Sequence, residues 1–220
     1  PTMSKRFTTT AALLLAIGSL VASAWGDENQ GWITLFDGKD LSAWDNGSGK
    51  PPAEGWVVED GLLIRQKPAG YVWSKQSFGD FILELEFKTE GNSGVFFRTG
   101  NPGDCVQTGL EMQVDRPRDT PSKHSVGALY DALAPSKNAA VADWNKVVIT
   151  CRGSKVTIEL NGEKIVEADL DQWSQAGQNP DGTKNKYRTA LKDFPREGKI
   201  GLQEHGAVVA YRNIRVKPLK

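Results

Sequence analysis

The stretch VVITCRGSKVTIELNGEKIVE, residues 147–167, decides the fold class of this chain. Two runs rich in β-branched and other apolar residues, 147–151 and 156–160, flank a short segment that contains glycine and serine, as in two strands joined by a turn. Asn161-Gly162 then supplies a turn of the type that closes a two-residue β-hairpin, and a third run follows it. The stretch therefore predicts three consecutive antiparallel strands.

The same pattern of short strands separated by turn residues continues over the rest of the chain. Asp60-Gly61 divides two apolar runs, and residues 81–87 alternate between Phe or Leu on one side and Ile or Glu on the other. Further strands are predicted at 32–36, 56–59, 62–64, 95–98, 110–115, 200–205 and 208–216. About ten or more short strands without helical periodicity predict an all-β protein, an antiparallel β-sandwich or jelly roll.

The first 24 residues have the features of a signal peptide. Basic residues follow Met3, residues 11–21 form an apolar run, and the small residues at 22–24 fit a signal-peptidase site. The apolar run is shorter than the about 20 residues that a membrane-spanning helix needs. We therefore expect residues 1–24 to be a signal peptide with a start remnant and residues 25–220 to be a single domain. The mature protein is expected to be exported, periplasmic or extracellular, and free of the membrane.

The overall charge of the chain is balanced. Lys plus Arg and Asp plus Glu number 27 each, so net charge gives no reason to expect a nucleic acid or a membrane surface as the partner. Seven tryptophans fit both core filling and stacking on sugars, and core filling is the commoner role. Any electrostatic recognition is therefore expected to be local.

The chain contains two cysteines, Cys105 and Cys151. In an oxidising compartment a disulfide between them would contribute about 2–4 kcal/mol if the geometry permits it. Two unpaired thiols are the alternative. Because no second Cys or His lies at a short chelating spacing, the sequence predicts no zinc ligand set.

Two predicted strands, 110–115 and 200–205, carry polar side chains on one face. Alternate residues of a strand point to opposite faces, so the apolar residues of both segments enter a core and leave the polar ones on the other side. These polar residues are Glu111, Gln113 and Asp115 in the first strand, and Gln203 and His205 in the second. If the two strands share a sheet, a carboxylate, amides and an imidazole meet on one surface, which is the composition of a site for a polar ligand.

Long loops leave from the ends of both polar-faced strands. Residues 116–143 follow the first strand and residues 171–198 precede the second, and both are rich in Pro, Gly and polar residues. Loops of this length on a compact sandwich are often functional. Tyr130 in the first loop would either present its phenol to a ligand or pack the loop onto the sheet, and His124 is the weaker candidate.

Arg98 ends an apolar strand that follows the turn Gly91 to Gly94. An arginine in this position is most often a solvated charge at the rim of a sheet. If it lies beside Glu111, its guanidinium is a natural bidentate partner for this carboxylate or for a developing oxyanion.

The spacing of the acidic residues argues against a conventional pair of glycosidase carboxylates. Glu111 and Asp115 lie four residues apart, about 13 Å along an extended strand. Retaining enzymes need about 5 Å and inverting enzymes about 6.5–9.5 Å between the two carboxyl groups. A conventional mechanism would therefore need a carboxylate from another segment, such as Asp104, Asp131 or Glu204.

A set of short motifs extends over the whole mature chain in a defined order. The motifs are Gly31-Trp32, Phe36-Asp37-Gly38, Trp44, Trp56, Asp60-Gly61, Asp80-Phe81, Asn92-Ser93-Gly94, Arg98, Glu111 to Asp115, Gly127 to Tyr130, Trp144-Asn145, Asn161-Gly162, Gly201-Leu202-Gln203, His205-Gly206 and Arg212-Asn213-Ile214. In this order the chain resembles the 3-keto-disaccharide hydrolase domain family, long catalogued as a domain of unknown function. The resemblance implies a concanavalin A-like jelly roll with a sugar site on its concave face.

The resemblance also implies an activity on glycosides already oxidised at C3. A carbonyl at C3 acidifies the hydrogen on C2, so one base and one stabiliser of the resulting oxyanion suffice to expel the substituent at C1 by elimination, after which water adds back. The expected partner is a small oxidised saccharide, supplied by a separate sugar 3-oxidoreductase. No cofactor is required, although a divalent metal ion bound by Glu111 and His205 would serve as an alternative electrophile.

The candidate site residues divide into two groups. Catalytic roles are assigned to Glu111 or His205 as the base and to Arg98 near the C3 oxygen, together with Gln203. Contacts to the substrate are expected from Asn92, Gln113, Asp115, Gln203 and Tyr130.

Two other functions remain open at the level of the sequence. A non-catalytic carbohydrate-binding module is one alternative, because jelly rolls host lectins as readily as enzymes. Such a module would display exposed aromatic residues along its groove, whereas the two polar-faced strands present acid, amide and imidazole groups. A conventional glycoside hydrolase of the same fold, acting on unoxidised sugars, is the other alternative.

Overall fold

Two antiparallel β-sheets make up the protein in the computed structural model, which describes residues 30–220. The strands of the larger sheet, sheet 1, are β1 (Ile33–Phe36), β3 (Trp56–Glu59), β4 (Leu62–Arg65), β6 (Phe81–Thr89), β9 (Asn145–Arg152), β10 (Lys155–Leu160), β11 (Glu163–Asp169) and β13 (Val209–Pro218). Those of sheet 2 are β2 (Trp44–Asp45), β5 (Val72–Phe78), β7 (Ser93–Thr99), β8 (Leu110–Val114) and β12 (Gly198–Leu202). The signal peptide predicted at 1–24 lies outside the described residues.

The strand order shows how the chain builds the two layers. Sheet 1 runs β11-β10-β9-β6-β13-β4-β3, with β1 also paired to β13, and sheet 2 runs β2-β5-β12-β7-β8. The stretch 147–167 forms β9, β10 and the start of β11, as predicted. Asn161 and Gly162 have φ values of 53° and 82°, which the predicted two-residue hairpin turn requires.

The core lies between the two sheets and follows the predicted alternation. Phe81, Leu83, Leu85 and Phe87 of β6 are buried, while the intervening residues are more exposed and face away from sheet 2. The apolar residues of β8 join the same core. The prediction of an all-β antiparallel sandwich is confirmed.

The two polar-faced strands belong to one sheet. β12 pairs with β7, and β7 pairs with β8, so one strand separates the two segments. Ile200 and Leu202 of β12 enter the core together with Leu110 and Met112 of β8. Glu111 and Gln113 of β8 therefore share the outer face of sheet 2 with Gln203, whereas the predicted strands extend too far, because β8 ends before Asp115 and β12 ends before His205.

The connections are long only where the sequence predicted them. A 3₁₀ turn (Pro102–Asp104) and one short helix, α1 (Cys105–Thr108), join β7 to β8. The segments 116–143 and 171–198 join β8 to β9 and β11 to β12, and apart from Gly198, the first residue of β12, they contain no strand of either sheet. Short 3₁₀ turns lie at Leu170–Gln172 and Leu191–Asp193.

The two cysteines are free thiols in this structure. Cys105 begins α1 and is partly buried, whereas Cys151 is buried in β9 of sheet 1. Burial raises the pKa of the Cys151 thiol to about 12, so it remains protonated at neutral pH. Of the two states that the sequence left open, the structure contains the unpaired one.

Within residues 30–220, no helix is long and apolar enough to cross a membrane.

Candidate active site

A small polar pocket lies on the outer face of sheet 2, where β7, β8 and β12 meet the two long loops. Its volume is about 180 Å³. The lining residues are Tyr71, Asn92, Val106, Glu111, Gln113, Tyr130, Lys186, Gln203 and His205. Six of them were predicted from the sequence as site residues, namely Asn92, Glu111, Gln113, Tyr130, Gln203 and His205.

Glu111 is the second residue of β8 and is only 4% exposed. One of its carboxyl oxygens accepts a hydrogen bond of 3.1 Å from the Gln203 amide. Burial raises the pKa of the Glu111 carboxyl to about 7, against the opposing effects of Lys186 and Gln203. A carboxyl group with this pKa both gains and loses a proton near neutral pH, as a general base must.

Glycines in the neighbouring strands make room for this carboxyl group. A Cβ atom on Gly94 of β7 would collide with the Glu111 carboxyl oxygen, and one on Gly201 of β12 would collide with the Trp73 ring. The Trp73 ring packs with Phe96 at 5.8 Å between centroids. The missing side chain of Gly94 therefore leaves space for the carboxyl group, and that of Gly201 leaves space for the Trp73 ring.

Gln203, which follows β12 directly, is 6% exposed. Its backbone N–H donates to the Gly94 carbonyl at 2.9 Å, and its own carbonyl accepts from the buried Ser93 hydroxyl at 2.7 Å. The amide nitrogen is used by Glu111, whereas the amide oxygen is buried without a hydrogen-bond partner. A buried acceptor without a partner is costly, so this oxygen is suited to a hydroxyl group of a bound ligand.

Gln113 and Asn92 form a fixed pair at one side of the pocket. The Gln113 amide nitrogen donates to the Asn92 side-chain oxygen at 2.7 Å and to the Val114 carbonyl at 3.2 Å. These two bonds hold the Gln113 amide in one orientation, so the pair contributes a rigid polar wall.

Three residues of the pocket were missed by the sequence analysis, namely Lys186, Tyr71 and Val106. The Lys186 ammonium lies 3.9 Å from the centroid of the Tyr130 ring. Partial burial lowers the pKa of Lys186, while the charges of Glu111 and Asp131 raise it. Burial raises the pKa of the Tyr71 phenol to about 12, so it is a hydrogen-bond donor at neutral pH.

Strand alternation could not identify Lys186 or Tyr71, because neither residue lies in a strand. Tyr71 precedes β5 directly, and Lys186 lies within the loop 171–198. This loop was expected to be functional, but which of its side chains points into the pocket depends on contacts that are distant in sequence.

His205 and Tyr130 lie toward the open side of the pocket. His205 is exposed, whereas Tyr130 is partly buried and its ring lies 5.0 Å from that of His124. Burial and the nearby Glu111 raise the pKa of the Tyr130 phenol, so it too remains a donor at neutral pH. His124 itself contacts the Asp131 carboxylate at 2.9 Å rather than lining the pocket.

The prediction that the Arg98 guanidinium lies beside Glu111 is wrong. Arg98 has a positive φ of 50°, which interrupts the alternation of β7 at its end, and its side chain is fully buried. The guanidinium pairs with Asp80 at 2.8 Å and donates to the carbonyls of Gly79 at 2.9 Å and Gly153 at 2.7 Å. Arg98 therefore joins two strand connections at the end of the sandwich, and it does not line the pocket.

Asp115 does not reach the pocket either. It forms an ion pair of 2.7 Å with Arg118 and accepts from the Arg116 backbone N–H at 2.8 Å. Its side chain lines a separate groove of about 370 Å³ that also includes Val141 and Asp143. The expected contact between Asp115 and a ligand in the pocket is therefore not supported by its position.

The other acidic residues considered for a carboxylate pair are also engaged elsewhere. Asp104 pairs with Arg188 at 2.9 Å, Asp131 with Lys123 at 2.8 Å, and Glu204 with Arg65 at 2.5 Å. Among residues 30–220, Glu111 is the carboxylate that lines this pocket. The arrangement lacks the second carboxylate that a conventional glycosidase uses.

Metal ligands are few in this region. The part of the chain that the structure describes contains no group of three or more His, Cys, Asp or Glu side chains arranged to hold a metal ion. Glu111 and His205 are the two pocket residues with ligand side chains of this kind. A divalent ion here would need its remaining ligands from water, the ligand or amide and phenol oxygens.

The fold and the pocket define a class of β-sandwich protein that binds a polar ligand on one sheet face, beside a carboxyl group whose pKa is about 7. The model of the 3-keto-alpha-glucoside-1,2-lyase-like domain family matches residues 31–217. The chain belongs to this family, which confirms the resemblance inferred from the ordered motifs. It is accordingly a glycoside hydrolase-like enzyme.

Related proteins support this assignment. A 3-keto-disaccharide hydrolase from Bacteroides thetaiotaomicron is 29% identical, with 86% of this chain and 79% of the relative covered. The crystal structure of a Parabacteroides distasonis protein with the provisional name glycosyl hydrolase is 30% identical with a TM-score of 0.77, and covers 86% of this chain and 99% of its own. A beta-glucanase from Bacillus licheniformis, 15% identical with a TM-score of 0.50 over 86% of this chain and 97% of its own, shares the fold alone. The predicted concanavalin A-like jelly roll is confirmed.

Proposed function

We propose that this enzyme cleaves 3-keto-glycosides, including 3-keto-disaccharides, by removing the C2 proton and eliminating the C1 substituent, with hydration as the second stage. The observation that carries this proposal is a single buried carboxyl group, Glu111, with a pKa of about 7 in a pocket where residues 30–220 place no second carboxylate. One base is what an elimination next to a ketone needs. Hydrolysis by two flanking carboxylates would need a partner for Glu111.

The reaction can be written so that every proton is accounted for. The ionised carboxylate takes the proton from C2, and the electron pair of the C2–H bond moves into an enolate whose negative charge lies on the C3 oxygen. When the enolate collapses, the C3 carbonyl re-forms, a C1–C2 double bond appears, and the C1–O bond breaks with protonation of the departing oxygen. Addition of water to C1 and return of a proton to C2 complete the hydrolysis. Without this addition the unsaturated ketone is the product, and the enzyme acts as a lyase.

The positions of the candidate residues favour Glu111 over His205 as the base. Glu111 lies deep in the pocket against the strands, where a sugar ring would sit, and burial raises its pKa to about 7. His205 is exposed at the open side, where the leaving group would lie, and is assigned to proton transfer with that group. Gln203, Gln113 and Asn92, with Tyr130, are assigned to the hydroxyl groups of the ring.

Several expectations about the cellular setting belong to the same proposal. The substrate already carries its ketone, so the cleavage needs no redox cofactor, and a separate sugar 3-oxidoreductase must supply it. Export to the periplasm or the extracellular space rests on the sequence features of residues 1–24. A divalent ion held by Glu111 and His205 is the alternative electrophile, and loss of activity in chelator with recovery on metal addition would support it.

Incubation of the purified protein with a 3-keto-glycoside and with the matching unoxidised glycoside tests the proposal. We expect release of the C1 substituent from the ketone alone, with loss of release in Glu111→Gln and a reduced rate in His205→Ala. If both variants turn over the 3-keto-glycoside at the rate of the unmodified protein, the residue assignment is wrong.

The two alternatives give different results in the same experiment. Binding of the sugar without release would indicate a carbohydrate-binding module, and release from the unoxidised glycoside would indicate a conventional hydrolase. Trp32 and Trp144 lie against Arg215 and Arg212, which belong to sheet 1, and neither lines the pocket. The aromatic residues that line the pocket are Tyr71 and Tyr130, and both are partly exposed, so the experiment decides between the enzyme and the binding module.

A further inference from the structure

Lys186 brings a positive charge to the same pocket as the proposed base. Its ammonium lies over the Tyr130 ring at 3.9 Å from the centroid, and its charge interacts with that of Glu111. Cations are stabilised over the face of an aromatic ring, so this contact favours the charged form of the lysine at this position. Since Arg98 is engaged at the end of the sandwich, Lys186 is the residue that occupies the place expected for a cationic group.

The backbone of Lys186 is held on both sides by side chains from distant parts of the chain. Its N–H donates to the Asp131 carboxylate at 2.7 Å, and its carbonyl accepts from the Gln107 amide at 3.2 Å. Asp131 belongs to the loop 116–143, and Gln107 belongs to α1. These contacts hold the backbone of Lys186, from which its side chain extends, in place beside the pocket.

The loop around Lys186 is fastened by further buried contacts. The buried Tyr187 hydroxyl donates to the Tyr130 carbonyl. The buried Asn179 donates to the Asp131 carbonyl at 3.2 Å and accepts from the Asn185 amide at 2.8 Å. These hydrogen bonds hold the segment around Lys186 in one position. Groups that are held in place before the substrate binds are the most effective in stabilising charge.

We propose that Lys186 donates a hydrogen bond from its ammonium to the C3 oxygen of the substrate and stabilises the enolate formed there, an inference that rests on the proposed function. In this step the C2–H bond breaks, its proton moves to the Glu111 carboxylate, and the electron pair ends on the C3 oxygen. Lys186 keeps its own proton throughout and lowers the energy of the oxyanion by charge and hydrogen bonding. The positive charge of Lys186 thus takes the role first assigned to Arg98.

Steady-state kinetics of Lys186→Met and Lys186→Arg on a 3-keto-glycoside provide the first test. We expect kcat to fall by about 100–1000-fold in Lys186→Met, as for loss of one oxyanion donor, with a much smaller change in KM. Lys186→Arg, which keeps the charge, should recover part of the loss. Lys184→Met is the matched control, because it removes a lysine side chain two residues away that does not line the pocket. An unchanged kcat in Lys186→Met would overturn the inference.

Proton exchange at C2 separates enolate stabilisation from help to the leaving group. A 1,5-anhydro-3-ketohexitol has the C3 ketone and the ring oxygen but no exocyclic substituent at C1, so exchange of its C2 hydrogen with deuterium from D₂O reports enolate formation without loss of that substituent, and NMR follows it. We expect Lys186→Met to slow this exchange by the same factor as kcat. Exchange at the normal rate together with slow elimination would place Lys186 at the departing oxygen and contradict the inference.

The outcomes for the proposed function and for this inference are distinguishable. If the unmodified protein neither cleaves 3-keto-glycosides nor exchanges the C2 hydrogen, the proposed function fails. If it does both and the Lys186 variants behave like the unmodified protein, only the role of the lysine fails. Thermal unfolding of each variant, compared with Lys184→Met, shows whether a loss of rate reflects a loss of folded protein.

Discussion

Glu111 is stabilised in its uncharged form by the same burial that suits it to catalysis. The residue lies in a strand whose other face is core, and its own face is covered by the long loops, so water has little access to the carboxyl group. Removing water from a carboxylate costs free energy that Lys186 and Gln203 offset only in part. The burial of the ionised Glu111 therefore lowers the stability of the folded protein, and it also gives a base that is active near neutral pH.

The pH dependence of the reaction follows from this pKa. We expect kcat/KM to rise with pH as Glu111 ionises, with a midpoint at about 7. At high pH the rate should fall when Lys186, whose pKa is lowered by partial burial, loses its proton. Measurement of kcat/KM from pH 4 to 10 on a 3-keto-glycoside tests both limbs. A rising limb at the pH of an exposed carboxylate would show that Glu111 is not the base.

Glu111→Gln is also expected to change stability in a pH-dependent way. The Glu111 pKa is raised from 4.5 to about 7, so the folded protein keeps a proton that the unfolded chain loses between these values. The unfolding free energy of the unmodified protein should therefore fall as the pH rises through this window, by about 3 kcal/mol in total. The unfolding free energy of Glu111→Gln should not fall in this pH window. We therefore expect the two proteins to differ most at pH 8, where the variant should be the more stable.

Urea unfolding at pH 4 and pH 8 measures this difference. Glu54→Gln is the matched control, because it removes a carboxyl group at an exposed position. A difference between Glu111→Gln and the unmodified protein that is the same at both pH values would contradict the assigned pKa of Glu111.

At the scale of the elements, the strands of the site were predictable and its loops were not. Alternation in 110–115 placed Glu111 and Gln113 correctly, because a strand in a sandwich buries one face in the core regardless of its neighbours. The order β12-β7-β8 could not be read from alternation, since pairing is decided by contacts distant in sequence. The position of Lys186 was equally hidden, because it depends on Asp131, which precedes it by 55 residues.

Arg98 shows where alternation fails within an element. Its positive φ turns the side chain out of the register of β7, toward the connections at Gly79 and Gly153. Nothing in the local sequence marks this change, because an arginine at the end of a strand usually remains in the register and in solvent. The result is a buried guanidinium group that links the end of β7 to the β5–β6 and β9–β10 connections.

Arg98→Met is expected to destabilise the protein without removing its activity. Loss of the guanidinium leaves two carbonyls without this donor and removes the ion pair of Asp80, which should lower the unfolding free energy by about 3 kcal/mol. Because Arg98 does not line the pocket, kcat/KM of the folded variant should stay close to that of the unmodified protein. Urea unfolding and steady-state kinetics at a temperature where the variant is folded provide the two measurements.

A matched arginine substitution sharpens this comparison. Arg118→Met removes an exposed ion pair with Asp115, which is expected to change stability by at most about 1 kcal/mol. A large loss of kcat in Arg98→Met with little loss of stability would return Arg98 to a catalytic role.

At the scale of the whole molecule, the outer faces of the two sheets differ in what they carry. The outer face of sheet 1 carries ion pairs, such as Glu86 with Arg212 at 2.6 Å and Glu84 with Arg215 at 2.7 Å, and two of its arginines cover tryptophans. Sheet 2 bears the pocket, and the loops 116–143 and 171–198 contribute its remaining walls. Sheet 2 thus forms the floor of the pocket, while the loops contribute Tyr130 and Lys186 to its walls.

The size of the pocket limits how much of a substrate it can enclose. Its volume is about 180 Å³, and an engineered protein cavity of about 150 Å³ holds one benzene molecule, so a single six-membered ring is the expected content. The oxidised ring would occupy the pocket, and the C1 substituent would extend past His205 into solvent. Recognition should therefore depend on the ketone ring and only weakly on the leaving group.

A series of 3-keto-glucosides with methyl, phenyl and glucosyl substituents at C1 tests this limit. We expect KM values within about 10-fold of one another, equivalent to about 1.4 kcal/mol, because the substituent makes few contacts. The rate constant should instead follow the acidity of the departing alcohol wherever breakage of the C1–O bond limits turnover. If the disaccharide binds far more tightly than the methyl glycoside, a second binding region is required. The groove beside Asp115 is then the place to test, by Asp115→Asn and Val141→Ser, for loss of the extra affinity.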